Sequence, residues 1–135
     1  MKHILSPTDG SEHSLQVVAL AAQFAVGMNC RLSILVVKQY IIGRSAVVEM
    51  WTQEEIEDVS ERTLKIAQAE GFDKTEFIEL RARDIAHAIL DFAEKNEIDH
   101  IVIGTAGRTG MAKFLLGSTT TEVLKKSFCP VTIVH

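Results

Sequence analysis

The sequence predicts an α/β protein: an open three-layer sheet of five parallel strands in the order 3-2-1-4-5, with four helices. Short apolar runs alternate along the chain with segments whose apolar residues recur at helical spacing. Strands that are separated by helices pair in parallel through right-handed crossovers. The chain has 135 residues, of which 47% are hydrophobic, so residues 1–135 are predicted to form a single globular domain.

The first part of the chain predicts two strands with a helix between them. Residues 3–5 form a short apolar run that stops at the breaker cluster of residues 6–10. The next segment has apolar residues at helical spacing, with Ser11 placed to cap its start and Gly27 to end it. Residues 31–37 are a near-continuous apolar run too short for a helix, which predicts a buried strand.

The middle of the chain contains one segment without a clear period. Residues 39–50 fit neither a strand nor a helix well, and we predict a mobile or ligand-covering connection there. Thr52 and Glu55 have the spacing of a capping box, which predicts a helix that Gly71 ends. Residues 75–80 have fewer apolar side chains and predict an edge strand.

The last part of the chain completes the alternation. Asp84 can cap a third helix, residues 100–103 predict the fourth strand, and residues 119–126 predict the fourth helix. Residues 130–135 predict the last strand, which is apolar on both faces and lies at an edge, where it invites pairing with another chain. The alternative is an edge protected by His135 and the terminal carboxylate.

Composition excludes several classes of function. The net charge of −4 argues against a general nucleic-acid or anionic-membrane binder, since both need a basic face. No apolar run approaches the ~20 residues of a membrane span. Cys30 and Cys129 are far apart and have no metal-site spacing, as expected in a reducing compartment. We therefore expect a cytoplasmic protein with no nucleic-acid or membrane partner.

Gly104, Gly107 and Gly117 indicate a binding site for phosphate. Gly104 would end the fourth strand, Gly107 would expose backbone N–H groups, and Gly117 would precede the last helix, whose unpaired N–H groups attract anions. In the predicted order, this strand end faces residues 7–11 across the switch point where ligands of such sheets bind. The alternative is two unrelated turns, but the spacing of the three glycines favours phosphate.

Polar side chains beside these glycines strengthen the prediction. Ser118 and Thr119 add hydroxyl donors at the start of the last helix, and Arg108 or Lys113 could supply positive charge. The loop is not a Walker loop, because it contains no Gly-Lys-Ser/Thr sequence. Spacing alone does not distinguish adenine from guanine.

The pattern G-x2-G-x9-G-S is similar to the nucleotide signature of the universal stress protein family. The stretches ILSPTDGS, DHIVIGTAGRTG and LLGSTTTEVLKKSFCPVTIV resemble that family's first strand and loop, its fourth strand, and its last helix and strand. The resemblance implies an adenine nucleotide alpha hydrolase-like fold. Because the motif marks the ATP-binding branch, it also implies ATP (or AMP or ADP), with Mg²⁺ held mainly through the phosphates.

The resemblance also assigns roles by position. Asp9 and the backbone of Val37 would meet the adenine; the alternative for Asp9 is a helix cap, and we favour the ligand role. The remaining roles are Pro7, Thr8 and Gly104 along the adenosine, and Gly107, Gly117, Ser118 and Thr119 at the phosphates. Arg83 stands where many relatives have glycine, and we interpret its side chain as solvated.

The implied function is a stress-response module regulated by nucleotide. The resemblance further implies a homodimer formed by antiparallel pairing of residues 131–135. Two alternatives remain at this stage: a slow ATPase or phosphotransferase, for which no clear general base is evident, and a partner-binding dimer that uses no nucleotide. Tyr40 and Trp51 could cover a nucleotide, but burial against the sheet is the simpler interpretation.

Overall fold

The computed structural model describes residues 1–72, 74–105 and 116–135. These residues form six strands and four helices. In chain order they are β1 His3–Pro7, α1 Glu12–Met28, β2 Arg31–Ile42, β3 Val47–Glu49, α2 Gln53–Ala69, β4 Thr75–Ala82, α3 Ile85–Lys95, β5 His100–Gly104, α4 Ser118–Lys126 and β6 Val131–Val134.

The main sheet has the order β4-β2-β1-β5-β6, and all of its pairings are parallel. Without the short strand β3, the predicted strands 1 to 5 are β1, β2, β4, β5 and β6. The predicted order 3-2-1-4-5 is therefore confirmed. β1 lies between β2 and β5, with Ile4 beside His100 and Pro7 beside Leu35. The carboxyl ends of β1 and β5 are therefore neighbours, because the strands run in the same direction.

The interpretation that residues 39–50 do not fit a strand was wrong, and with it the strand count of five, whereas the mobile or ligand-covering role stays a prediction. β2 continues to Ile42, and the chain returns as β3, which pairs antiparallel with the end of β2. The Gly43 N–H donates to the Ala46 carbonyl over 2.8 Å and closes the turn. The segment looked aperiodic because apolar side chains occupy both faces of this hairpin, so no alternation marks its strands.

Helices cover both faces of the sheet. On one face, α1 and α2 pack on Ile4, Leu32 and Ile34, which are completely or almost completely buried. On the other face, α3 and α4 pack on side chains that include Leu5 and Ile101, both fully buried. The layers thus follow the alternation of side chains along each central strand.

Most predicted helix ends are confirmed. Ser11, Thr52 and Asp84 each accept a backbone N–H at the start of a helix, and Thr52 forms the complete capping box with Glu55. The prediction that Gly27 ends α1 was wrong. The helix continues to Met28, and Asn29 takes the left-handed conformation, which an Asn tolerates.

Two further predictions concern the edges and the membrane. β4 and β6 are edge strands of the main sheet, as predicted for both. Within the described ranges, no helix combines the length and the apolar character needed to cross a bilayer.

Candidate functional site

Two loops begin side by side at the carboxyl edge of the sheet. The first follows β1 and leads into α1, and the second follows β5 and leads to α4. The prediction places a ligand between them, at the point where the connections from β1 to β2 and from β5 to β6 leave in opposite directions. Gly107 and Arg108, which were predicted to contribute, lie outside the described residues.

The first loop is held by Thr8. Its hydroxyl lies 2.6 Å from the Ser14 hydroxyl and accepts the Gly10 N–H over 3.2 Å, while its own N–H donates to the Leu35 carbonyl. The residue is only 7% exposed. Thr8 therefore fixes the path of the chain directly after Pro7, and its hydroxyl is engaged within the protein.

Asp9 lies at the turn between β1 and α1. One carboxylate oxygen accepts the Ser11 N–H over 2.9 Å, and the Ser11 hydroxyl in turn caps α1 by accepting the Ser14 N–H. The alternative of Asp9 as the helix cap was therefore wrong. One carboxylate oxygen shapes the turn, and an Asp in this position can still offer its second oxygen to a ligand.

Gly10 has a φ of +80°, which only glycine adopts without strain. A Cβ at this position would lie 2.8 Å from Val59 Cγ2 and 3.3 Å from Trp51 Cη2. Trp51 also packs with Val36 and Ile56, so the interpretation of burial against the sheet agrees with the structure. The indole thus borders the turn that carries Asp9, and no spacing in the sequence marks that contact.

Val37 offers only its backbone. The side chain is 6% exposed and packs in the core beneath α3, beside the β4 residue Leu80. The predicted backbone contact with a base is compatible with this placement, whereas a side-chain contact is not.

Gly104, at the end of β5, contacts both α1 and α4. A Cβ there would lie 3.2 Å from His13 Cδ2 and 3.3 Å from Val17 Cγ2, and the Gly104 carbonyl accepts the Thr120 hydroxyl over 2.7 Å. His13 Nε2 lies 2.9 Å from the Val134 carbonyl oxygen of β6. His13 and Thr120 therefore join the site to the neighbouring elements, although neither was predicted as a site residue.

The start of α4 is open. Gly117 is its N-cap residue, and within the described part of the chain no side chain caps this helix, unlike α1, α2 and α3. The Gly117 N–H donates to the Thr105 carbonyl over 2.8 Å, so Ser118 and Thr119 carry the first N–H groups that point beyond the helix. Ser118 is exposed and Thr119 is half-buried.

A cleft of about 200 Å³ opens beside this site, between the end of β2 and the start of α2. Its lining residues are Lys38, Gln39, Glu49, Trp51, Thr52 and Gln53. None of the predicted site residues lines it, and Trp51 connects it to Gly10. Nearby, the Arg83 carbonyl accepts the Gln39 side chain over 3.1 Å while the Arg83 side chain is exposed, as expected for a solvated residue.

These features define a single-domain α/β protein with an open parallel sheet and a candidate ligand crevice at the carboxyl edge of its central strands. The model of the universal stress protein family matches residues 1–135, and the chain belongs to that family. This confirms the resemblance that the glycine motif indicated.

Curated relatives and solved structures agree with this assignment. A universal stress protein of Methanocaldococcus jannaschii is 34% identical over 145 residues, covering 98% of this chain and 81% of the relative. Universal stress protein YxiE of Bacillus subtilis is 32% identical over 150 residues, covering 98% and 97%. A crystal structure of a universal stress protein in complex with cAMP superposes with a TM-score of 0.77 at 26% identity, covering 99% and 96% of the two chains.

Proposed function

We propose that this protein binds an adenine nucleotide, ATP or its AMP or ADP forms, and acts as a nucleotide-dependent regulatory module. The observation that carries the proposal is the start of α4, which has no side-chain cap among the described residues and lies next to the end of β5. A helix start without a side-chain cap presents N–H groups and the positive end of the helix dipole to an anion. The cAMP complex of a relative with this fold supports an adenine ligand.

The proposed ligand would span the crevice from one loop to the other. Asp9 and the Val37 backbone would meet the base, and Pro7, Thr8 and Gly104 would lie along the adenosine. The groups proposed at the phosphates are Gly107, Arg108, Gly117, Ser118 and Thr119. Because the Gly117 N–H is donated to Thr105, its contribution would be the absence of a side chain, and the N–H groups of Ser118 and Thr119 would contact the phosphates.

Magnesium would be held mainly through the phosphates and water. Within the described ranges, no three His, Cys, Asp or Glu side chains come together as a potential metal site. Mg²⁺ commonly binds through one or two carboxylates and substrate phosphates while keeping several waters. Bound Mg²⁺ would neutralise part of the phosphate charge in an acidic protein whose net charge is −4.

The regulatory part of the proposal includes a homodimer through residues 131–135. Among the described residues, β6 pairs with β5 alone, so its outer edge is open to a second copy. Phe128, 86% exposed, and Leu124 of α4, 45% exposed, are exposed apolar side chains that shortly precede β6 in the chain. Antiparallel pairing of two β6 strands would cover both, and His13 would link the paired strand to the nucleotide crevice through the Val134 carbonyl.

The binding site is tested by two substitutions and a matched control. Asp9→Asn keeps an acceptor for the Ser11 N–H but removes the charge, and we expect adenosine nucleotides to bind 10- to 100-fold more weakly, as about 1.5–3 kcal/mol for a hydrogen bond to a charged group implies. Gly117→Val places a side chain at the phosphates and should abolish binding. Asp91→Asn, in a surface ion pair with Lys95, should bind like the wild type.

Titration calorimetry with ATP, AMP and GTP, each with and without Mg²⁺, gives the affinities. The melting temperature of each variant is recorded without ligand, so that misfolding is separated from loss of contacts. Wild-type protein that binds no adenine nucleotide, and whose melting temperature does not rise with any, would overturn the proposal. The same samples, analysed for released phosphate, report any hydrolysis.

A further inference from the structure

The hairpin formed by the end of β2 and by β3, residues 40–49 and called the tongue below, exposes apolar side chains on both of its faces. Ile41 pairs with Val48 and Ile42 pairs with Val47, and these four side chains are 48–55% exposed. Neighbouring cross-strand pairs point to opposite faces of a hairpin. A hairpin with a solvated face normally alternates apolar and polar residues, so the pattern indicates a surface adapted to contact another molecule.

The tongue is held in place from its base. The Arg81 guanidinium binds the Glu49 carboxylate and stacks on the Tyr40 ring, 3.9 Å from its centroid. The Met50 N–H donates to the Gln39 carbonyl and continues the pairing beyond β3. An apolar projection fixed in this way loses little entropy when it meets a partner, which favours binding.

One edge of the tongue is also open. Among the described residues, β3 pairs with β2 alone, so the other edge of this three-residue strand has no neighbouring strand. An open apolar edge is a template for another strand. The tongue thus offers a partner strand a backbone edge that is flanked by apolar side chains.

We propose that the tongue is an interface with a second copy of this chain, in which two β3 strands pair antiparallel about a two-fold axis at Val48. In such an isologous contact the same surface serves both subunits. Val48 would lie opposite its own copy, and Val47 would lie opposite the partner's Glu49. The two hairpins would then form one four-stranded antiparallel sheet, in which Val48 packs beside its own copy on one face and Val47 beside the partner's Glu49 on the other.

The charges of the tongue fit this self-pairing. Arg44 lies at the tip, whereas Glu54 and Glu57 are exposed in the first turns of α2, directly after the base. An antiparallel arrangement brings the tip of each tongue to the base of the other, so that each Arg44 approaches acidic side chains of the other subunit. The nearby Glu49 and Lys38 already have partners in Arg81 and Glu79, which leaves Arg44 as the complementary cation.

The size of the surface sets the strength of the contact. Four half-exposed aliphatic side chains make an apolar patch smaller than the ~800 Å² per subunit of a standard stable interface. The association is therefore weak and depends on protein concentration. It is separate from the proposed β6 dimer, and two different two-fold contacts on one chain produce a tetramer or a larger assembly.

A disulfide at the two-fold axis tests the geometry. Val48→Cys, made with Cys129→Ser, should form an intermolecular disulfide on mild oxidation, because directly opposed residues in antiparallel strands have the Cα separation that a disulfide needs. Gln68→Cys in the same background is the control, since Gln68 is exposed on α2 away from the tongue. Cross-linking at position 48 that is no faster than at position 68 overturns the proposal.

Sedimentation velocity over a range of concentrations tests the interface without a cross-link. Val48→Lys sets two like charges opposite each other and should shift the concentration of half-association at least tenfold, while the milder Val48→Thr, which keeps a β-branched residue, should shift it less. Arg44→Glu should also weaken association, and adding Glu54→Arg should restore it. Arg44→Glu combined with Glu94→Arg, at an exposed position of α3, should not.

One further variant separates this proposal from the β6 dimer. Phe128→Asp, at an exposed position beside β6, should remove that contact only. If the β6 dimer does not exist, Phe128→Asp sediments like the wild type and Val48→Lys is monomeric, which supports the tongue interface alone. If Val48→Lys sediments like the wild type, another protein or a lipid surface must cover the tongue, and self-pairing is overturned.

Discussion

At the scale of single residues, Gly104 has a packing role inside the protein beside its predicted role at a ligand. The sequence indicated Gly104 because of its spacing from Gly107 and Gly117, and it explained the glycine by a ligand. In the structure Gly104 also admits His13 and Val17 of α1. That reason could not be predicted, because the residues that approach it come from a helix about ninety positions earlier in the chain, and only the folded topology brings them together.

Gly10 gives a stability prediction at this scale. Gly10→Ala combines a strained φ of +80° with a Cβ 2.8 Å from Val59, so we expect it to lower the free energy of unfolding by about 1–3 kcal/mol. The matched control is Gly27→Ala, which lies inside α1 in open space and should stabilise the protein by about 0.5–1 kcal/mol. Urea denaturation of both variants measures the two effects, and equal midpoints would contradict the prediction.

At the scale of elements, local chemistry predicted most of the helices and strands. Ser11, Thr52 and Asp84 cap their helices as expected, because a capping side chain acts within three residues of its own position. The hairpin at residues 39–50 was missed for the opposite reason. Its apolar side chains on both faces carry no period, and the Arg81 contacts that hold it come from β4, distant in sequence.

The contact between α4 and β5 gives the prediction at this scale. Thr120→Val keeps the side-chain shape but removes the hydrogen bond to the Gly104 carbonyl, which leaves a part-buried acceptor without that donor. We expect a loss of about 1–2 kcal/mol in the free energy of unfolding and weaker nucleotide binding, because the start of α4 would no longer be fixed against the strand end.

The control for this substitution is Thr121→Val, whose hydroxyl bonds the Gly117 carbonyl within α4 itself. It should affect stability less and leave the position of α4 against β5 unchanged. Denaturation curves and calorimetry on the two variants separate the effects, and an equal loss of affinity in both would refute the role of Thr120.

At the scale of the whole molecule, the two ends of the sheet have different chemistry. The carboxyl edge carries the candidate site, whereas the amino edge carries the buried His3 and the half-buried His100. Burial lowers the pKa of His3, with a further contribution from Arg31, and burial also lowers the pKa of His100. His3 Nε2 lies 2.7 Å from the Ser33 hydroxyl, and His100 Nε2 lies 2.6 Å from the Thr132 hydroxyl.

The protein is therefore expected to lose stability in mild acid. Because the pKa of each histidine is lower in the folded chain, the unfolded chain binds protons first as the pH falls below about 6.5, and the free energy of unfolding decreases from there downward. His100→Gln should flatten this dependence between pH 7.5 and pH 5, while His135→Gln, at an exposed position, should not. Melting temperatures across that range test the expectation; parallel curves for wild type and His100→Gln would contradict it.

The position of Trp51 has a practical consequence. It is the chain's single tryptophan, and its indole touches the Gly10 turn, packs on α2, and follows directly after the hairpin. Its fluorescence consequently comes from the one place where the Asp9 loop, the second helix and the hairpin meet. The tryptophan fluorescence of the wild-type protein can thus report changes at the carboxyl edge of the sheet. It needs no added label, and no second tryptophan contributes to the signal.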